Sequence, residues 1–233
     1  METLNYVLDT PLIKVSEFRE LVNAMQHYVE IVNNRWSLPD IKITHGKKVL
    51  DGSWNVIIGE RGRVSNEYGR HDFLNGKPIA YVSPEFCGVT KNSYGRETAI
   101  FGAYTPPSKN GDGILYPGLA SVLSHETAEM LVDPNPIQDG KWVMRPDNTK
   151  ILVEVGDQAN VLHTHLHIVT KSFGRKKLRD VVVSGITLPG YYGLAPTAYT
   201  WPASRLFNEP FIEIPGCYGA IKDINGNVTV KDF

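Results

Sequence analysis

Apolar side chains recur at helical spacing in the N-terminal part of the chain, as on one face of an amphipathic helix. Ser16 is a candidate N-cap, and Glu17 and Glu20 are acidic residues in the first turn, where the helix dipole favours them. The pattern therefore predicts a long helix that ends near Asn33-Asn34. Its apolar positions are Phe18, Leu21, Val22, Met25, Val29 and Val32.

Short runs of β-type residues follow this helix and occur again later in the chain, separated by turns that contain Gly and Asn. Between the two groups, the stretch 88–117 is rich in Gly, Pro, Ser, Thr and Asn. We expect a long loop there, which is either functional or mobile. The predicted strands are 41–44, 54–58, 79–83, 151–155, 161–170 and 181–186.

A second helix is predicted from about 118 to 132, because Asp133-Pro134-Asn135-Pro136 would end it. The C-terminal extension, about 189–233, is aromatic and proline-rich with little periodicity, so we expect it to be irregular. The chain shows no internal repeat and no change in composition that would mark a linker. The sequence thus predicts an α+β fold in a single domain over residues 1–233.

The composition is that of an ordinary soluble protein, with 42% hydrophobic and 21% charged residues. A formal net charge of −1 argues against nucleic-acid or anionic-membrane binding, since both favour a basic surplus. No signal peptide and no apolar run long enough for a membrane span is visible. We therefore expect a cytoplasmic or virion-associated protein. Cys87 and Cys217 allow at most one disulfide, and their spacing leaves open whether they pair.

The most informative segment is Ser124–Pro134, inside the second predicted helix and its end. His125 and Glu129 are four residues apart, so on a helix they share one face and could bind one metal ion. Glu126 would lie beside that ion, where the H-E-x-x-H pattern of zinc proteases keeps its general base. Here Glu129 replaces the second histidine of that pattern. The same string also fits a helix with a surface glutamate and no metal.

A catalytic zinc ion usually has three protein ligands, so a third must come from elsewhere. The best candidates are Glu154 and Asp157, because they end an apolar run where a charge is costly unless it is paired or bound to metal. One imidazole with two carboxylates neutralises a dication and makes its bound water less acidic. Carboxylates also let Mn²⁺ or Ca²⁺ compete with Zn²⁺.

Other histidines offer weaker alternatives. Three histidines alternate along a predicted strand and therefore share one face, namely His163, His165 and His167. They could bind a metal ion, but a row of this kind is more commonly a polar surface. His71, in Gly69-Arg70-His71-Asp72, is a candidate for contact with a substrate near the cleft. A structural His-Asp pair in a turn is the alternative for it.

Together these segments resemble a family of uncharacterised bacterial and phage proteins of the zincin-like metallopeptidase type. That family shares the pattern S-H-E-x-x-E-x-x-x-D-P, followed by a Trp-containing loop and an E-[IV]-G-D segment. Here these are Ser124–Pro134, Trp142 and Glu154–Asp157. This chain departs from the family pattern in two ways. It has Gln158-Ala159-Asn160 where many relatives have a cysteine, and its loop before the helix is expanded. Further parallels with the family are Trp36, the segment 69–72 that leads to 78–82, the segment 189–192 and the segment 210–218.

The resemblance implies a mixed β-sheet over an N-terminal helix and an active-site helix. It also implies His125 and Glu129 as zinc ligands, with Glu154 or Asp157 completing the set and Glu126 as base. The activity it implies is metal-dependent hydrolysis of a peptide or protein substrate. Tyr191 or Tyr192 could then donate a hydrogen bond to the oxyanion, with core packing as the alternative.

Two other functions fit the same residues. The first is a non-catalytic binding protein, such as a phage virion component, that assembles with protein partners on a degenerate zincin scaffold. The second is a structural zinc or calcium site that joins the helix to the strand behind it.

Overall fold

The computed structural model describes residues 1–59, 67–89, 95–105, 116–172, 175–196, 198–202 and 209–233. Its helices are α1 (Val15–Trp36), α2 (Arg96–Phe101), α3 (Leu119–Val132) and α4 (Pro136–Asp139). Its strands are β1 (Thr3–Asp9), β2 (Lys42–Gly46), β3 (Trp54–Gly59), β4 (Gly69–Leu74), β5 (Lys77–Val82), β6 (Tyr104–Thr105), β7 (Tyr116–Pro117), β8 (Trp142–Met144), β9 (Lys150–Leu152), β10 (His163–Ser172), β11 (Arg175–Ser184), β12 (Ile186–Thr187), β13 (Thr200–Trp201), β14 (Tyr218–Lys222) and β15 (Val228–Asp232).

The largest sheet has five strands in the order β2-β1-β3-β5-β4. Its first four strands are parallel, and β4 pairs antiparallel with β5 at the edge. Side chains alternate between the two faces of a strand, so Tyr6 and Val56 enter the main core, while Val7, Ile57 and Ile79 form a small cluster apart from it. The molecule is therefore α+β with a mixed sheet.

Helix α1 packs the apolar face that its periodicity predicts into the core that it shares with this sheet. It begins at Val15, one residue before the expected Ser16 cap, and Glu17 Oε2 accepts the backbone N–H of Lys14 at 2.8 Å. Trp36 ends the helix, and its indole N–H donates to the carbonyl of Thr187 at 3.1 Å. This contact fixes the end of α1 against the C-terminal half of the chain.

Helix α3 is buried almost all round, with His125 as its one partly exposed side chain. A helix buried in this way lies inside the fold, and α3 packs on α1, β4, β5 and β11. The backbone N–H of Ser184 donates to Ser124 Oγ at 2.8 Å, which ties α3 to β11. At the end of the helix, the Asp133 carboxylate accepts the N–H of Lys141 at 2.9 Å.

The C-terminal region is more regular than the sequence predicts. β14 and β15 form a hairpin that extends β8 and β9 into a four-stranded antiparallel sheet. The prediction that 189–233 is irregular was therefore wrong for these two strands. The signal was the alternation in 218–222 and 228–232 around Asn225-Gly226, a dipeptide typical of hairpin turns.

Two further predictions need correction. The expected loop over 88–117 contains α2 and the paired strands β6 and β7, and its residues 90–94 and 106–115 lie outside the described part of the chain. β1 was missed, although it lies inside the five-stranded sheet, because its short apolar run has no clear alternation.

Cys87 and Cys217 are both buried, and no disulfide joins them.

Candidate metal centre

The central pair of the site lies on one face of α3. His125 and Glu129 are one helical turn apart, and His125 Nε2 lies 3.2 Å from Glu129 Oε1. Glu129 is buried on a helix that lies inside the fold, where a carboxylate is costly unless a partner offsets its charge. The i, i+4 spacing in the sequence is therefore realised as a contact between the two side chains.

A third group reaches the same imidazole from the turn after β9. Asp157 Oδ1 lies 3.2 Å from His125 Nε2, and the Asp157 backbone N–H donates to Glu129 Oε1 at 3.1 Å. Two ligands of a tetrahedral zinc ion, each at about 2.1 Å, lie about 3.4 Å apart. The distance from His125 Nε2 to each of these two carboxylates is thus that of two ligands on one cation.

Gly156 allows this close approach, because a Cβ at this position would lie 2.7–2.8 Å from atoms of the His125 ring. Its backbone has ordinary right-handed angles, φ −80 and ψ −43, so an alanine is strained only by that contact. We expect Gly156→Ala to displace the imidazole and to weaken zinc binding about tenfold or more. Gly46→Ala is the matched control, since nothing lies within 4 Å of its added Cβ. Equal zinc affinity of both variants in competition with a chromophoric chelator would contradict this role.

Glu126 lies on the same helix and faces the cleft, with a side chain only 7% exposed. Burial, together with the charge of Glu129, raises its pKa above the ordinary value, although His71 and His125 oppose the shift. Gly69 of β4 lies against this carboxylate, since a Cβ there would be 2.6 Å from Glu126 Oε1. A buried carboxylate with a raised pKa beside a cleft is suited to take up a proton.

His71 joins the site from β4, the antiparallel edge strand. Its Nδ1 lies 3.3 Å from Glu129 Oε2 and 3.8 Å from Glu126 Oε2, and its Nε2 lies 3.7 Å from Glu154 Oε2. The structure therefore separates the two predicted third ligands, because Asp157 approaches His125 whereas Glu154 approaches His71. The sequence predicted that His71 lies near the cleft, but it did not predict His71 as a member of the metal site.

The charges of this cluster depend on one another. Burial would lower the pKa of His125, but the carboxylate of Glu129 outweighs it and raises that pKa well above its usual value. Burial would also lower the pKa of His71, yet Glu126 and Glu129 raise it well above that value. Burial, and then the charge of Glu129, raises the pKa of Glu154 to about 9. Without a cation the cluster thus holds protons on both imidazoles and on Glu154, and metal binding would release them.

Among the described residues, two groups of donors could hold a metal ion, and within each the ligand atoms lie within 4.8 Å of one another. One group is His125, Glu126 and Glu129, and the other is His71, Glu129 and Glu154. Imidazole and carboxylate donors suit zinc and manganese. An ion pair fits the same 3.2 Å distances, but the buried cluster has more carboxylates than imidazoles. The residues present therefore fit a bound cation.

A cleft of about 530 Å³ opens beside His125 and Glu126. His163 lies in its wall, where Nε2 is 2.9 Å from Ser121 Oγ. Tyr218 also lines the cleft and hydrogen-bonds Asp157; burial, together with the charge of that carboxylate, raises the pKa of its phenol. The sequence did not predict a position in the cleft for either His163 or Tyr218.

Tyr191 and Tyr192 lie in the core instead, with 0% and 1% of their surfaces exposed. The Tyr191 hydroxyl donates to the Ile212 carbonyl at 3.0 Å, and that of Tyr192 donates to Gln158 Oε1. Neither belongs to the residues that line the cleft, so the structure does not bring them together with His125.

The row of three histidines on β10 is divided as well. His163 faces the cleft, whereas His165 and His167 are exposed and lie 2.8 Å and 3.4 Å from carboxylate oxygens of Asp180. The described residues include no group of three metal donors on this surface.

Comparisons with protein-family models, with curated proteins and with solved structures find no match for this chain. Among the described helices, none is both long and apolar enough to cross a membrane. The residues of the site are therefore the only indication of a function.

Proposed function

We propose that the protein is a zincin-like, metal-dependent hydrolase that cleaves peptide bonds. The observation that carries the proposal is the position of His125 Nε2, which lies 3.2 Å from both Glu129 Oε1 and Asp157 Oδ1. Glu126 lies next to this group and faces the cleft. This is the arrangement of an H-E-x-x-E site with three ligands and a separate base.

His125, Glu129 and Asp157 would hold the ion, with zinc as the expected metal and manganese or calcium as competitors. When bound, the cation would supply Lewis acidity to a scissile carbonyl and to the attacking water. Glu126 accepts the proton of that water on its carboxylate and passes it to the leaving amine. Its burial favours the first step, because a buried carboxylate takes up a proton more readily than an exposed one.

The cleft supplies the remaining polar groups. The imidazole of His163 and the phenol of Tyr218 lie in its wall, on the same cleft as Glu126. The His163 imidazole could donate a hydrogen bond to a developing oxyanion, whereas the single hydroxyl proton of Tyr218 is engaged by Asp157. Tyr68 and Tyr104 line the cleft as well and offer ring surface to a substrate side chain. A peptide fits this mixed polar and aromatic lining.

The fold supports the same proposal, since α3 packs against β4 and β5 of the mixed sheet and α1 packs against α3. The antiparallel edge strand β4 contributes Gly69 to the cleft beside the site helix. The experiment that tests the proposal compares peptide hydrolysis by zinc-loaded wild type and Glu126→Gln protein. We expect turnover in the wild type alone.

A second candidate function is a non-catalytic binding protein, such as a virion component, on the same scaffold. β15 favours it, because this edge strand is exposed along its whole length, with Val228 and Val230 exposed by 52% and 71%. An exposed edge strand can pair with a strand of a partner. Val230→Lys should then abolish assembly in sedimentation experiments while Glu126→Gln leaves it unchanged. A strictly monomeric protein that cleaves peptides would exclude this function.

A further inference from the structure

A second group of metal donors lies beside the first and shares only Glu129 with it. The two oxygens of Glu129 face in different directions, because Oε1 lies 3.2 Å from His125 Nε2 and Oε2 lies 3.3 Å from His71 Nδ1. Carboxylates with this arrangement commonly bridge two cations. Glu154 completes the second group from the segment that follows β9.

Two buried atoms of this group have no hydrogen-bond partner among the described residues, namely His71 Nε2 and Glu154 Oε2. They lie 3.7 Å apart, and the side chains are 6% and 11% exposed. A buried polar atom without a partner is costly, and most such atoms in proteins bind a polar neighbour, a water or an ion. The two atoms are close enough together for one ligand to satisfy both.

The balance of charge points to the same conclusion. Four carboxylates have an oxygen within 3.8 Å of an imidazole nitrogen in this cluster. Two imidazolium groups can offset two of these carboxylates, and each of the others must hold a proton or bind a cation, because a buried charge without compensation is strongly unfavourable. Two divalent cations would offset all four and leave both imidazoles neutral, as metal coordination requires. The carboxylates are Glu126, Glu129, Glu154 and Asp157.

We propose that His71, Glu129 and Glu154 bind a second divalent cation, and that Glu129 bridges it to the ion at His125. One imidazole and two carboxylates suit Zn²⁺ or Mn²⁺. The second ion would join three elements, β4, α3 and the segment after β9, none of which is adjacent in sequence. The inference rests on the metal centre of the proposed function but does not require that peptides are cleaved.

The test counts zinc ions bound per chain, by equilibrium dialysis against Zn²⁺ followed by elemental analysis of the full-length protein. We expect two ions in the wild type, one in Glu154→Gln and one in Asp157→Asn. Both substitutions keep the side-chain volume and remove only a charged oxygen. His165→Ala is the control and should retain two, since His165 is exposed and belongs to neither group. Circular dichroism checks that each variant is folded.

One zinc ion in the wild type, retained in Glu154→Gln, would overturn the proposal. One ion that is lost in Glu154→Gln and retained in Asp157→Asn would also overturn it, because the His71 group would then be the sole site. Loading with Mn²⁺ gives a second readout. The bridged pair should show an exchange-coupled electron paramagnetic resonance spectrum, and Glu154→Gln should show the spectrum of an isolated ion.

These results are separable from those that test the hydrolase. Two bound ions without any peptide cleavage would retain the second site and exclude the proposed function. Cleavage by a protein that binds a single zinc ion would retain the function and exclude the second site. The two claims therefore fail on different measurements, ion count and turnover.

Discussion

Replacing Glu126 with glutamine should lower kcat for peptide hydrolysis by about 10²- to 10⁴-fold, the range typical of a lost general base. Glutamine keeps the shape of the side chain but cannot accept the proton of the attacking water. Zinc content should stay unchanged, because the proposed ligands are His125, Glu129 and Asp157 and Glu126 acts as the base beside them. The measurement is the initial rate of cleavage of fluorogenic peptides, with zinc determined on the same samples.

The matched control for this experiment is Glu30→Gln, an exposed glutamate of α1 with 61% of its side chain accessible. It removes the same charge from the chain far from the cleft, and we expect wild-type kcat and KM. If Glu126→Gln cleaves as fast as Glu30→Gln, Glu126 is not the base and the hydrolase mechanism has to be abandoned. A variant that loses its zinc would instead make Glu126 a ligand.

The helical part of the site could be predicted from the sequence because it depends on local geometry. The spacing of His125 and Glu129 determines their contact once residues 119–132 form a helix, and the proline-rich segment after Val132 determines where the helix ends. The third ligand could be narrowed to Glu154 or Asp157 but not decided. Those residues differ by three positions in a turn, and the path of that turn past the His125 ring decides which carboxylate reaches it.

The contribution of β4 could not be predicted in the same way. His71 is 54 residues before His125 in the chain, and its position follows from the antiparallel register that places it opposite Ala80 on β5. Its surroundings in sequence, Arg70 and Asp72, give no sign of the carboxylates it meets. Tyr218 shows the same limit, since its place in the cleft depends on how β14 joins the second sheet.

The aromatic pair Tyr191 and Tyr192 shows a limit of a different kind. Tyrosines near a predicted site can donate to an oxyanion or fill the core, and the sequence does not distinguish these roles. Their burial and their hydrogen bonds to Ile212 and Gln158 favour packing in this protein. Charge patterns were more informative than aromatic ones, because a carboxylate within an apolar segment is costly wherever it lies.

The second large effect is expected for His125→Ala, which removes the nitrogen that lies 3.2 Å from both Glu129 Oε1 and Asp157 Oδ1. We expect zinc affinity at this site to fall more than about 100-fold, since the loss of an outer-shell partner alone typically costs 10- to 100-fold. Zinc stabilises the folded wild type by about 2.7 kcal/mol when free zinc is 100 times its Kd. In His125→Ala the part of this stabilisation that comes from the ion at His125 should be absent.

Each variant is compared with itself, with and without zinc, so that any change in the stability of the metal-free protein cancels. Chelator competition gives the affinity, and thermal unfolding with increasing zinc gives the shift in Tm. His167→Ala serves as the control, because that imidazole is 63% exposed and contacts only Asp180 among the ion pairs of the described residues. Its Tm should rise with zinc as in the wild type. If His125→Ala shows the same affinity and the same rise, the cation does not bind at His125, and the convergence of this imidazole with Glu129 and Asp157 is a salt-bridge network without a metal.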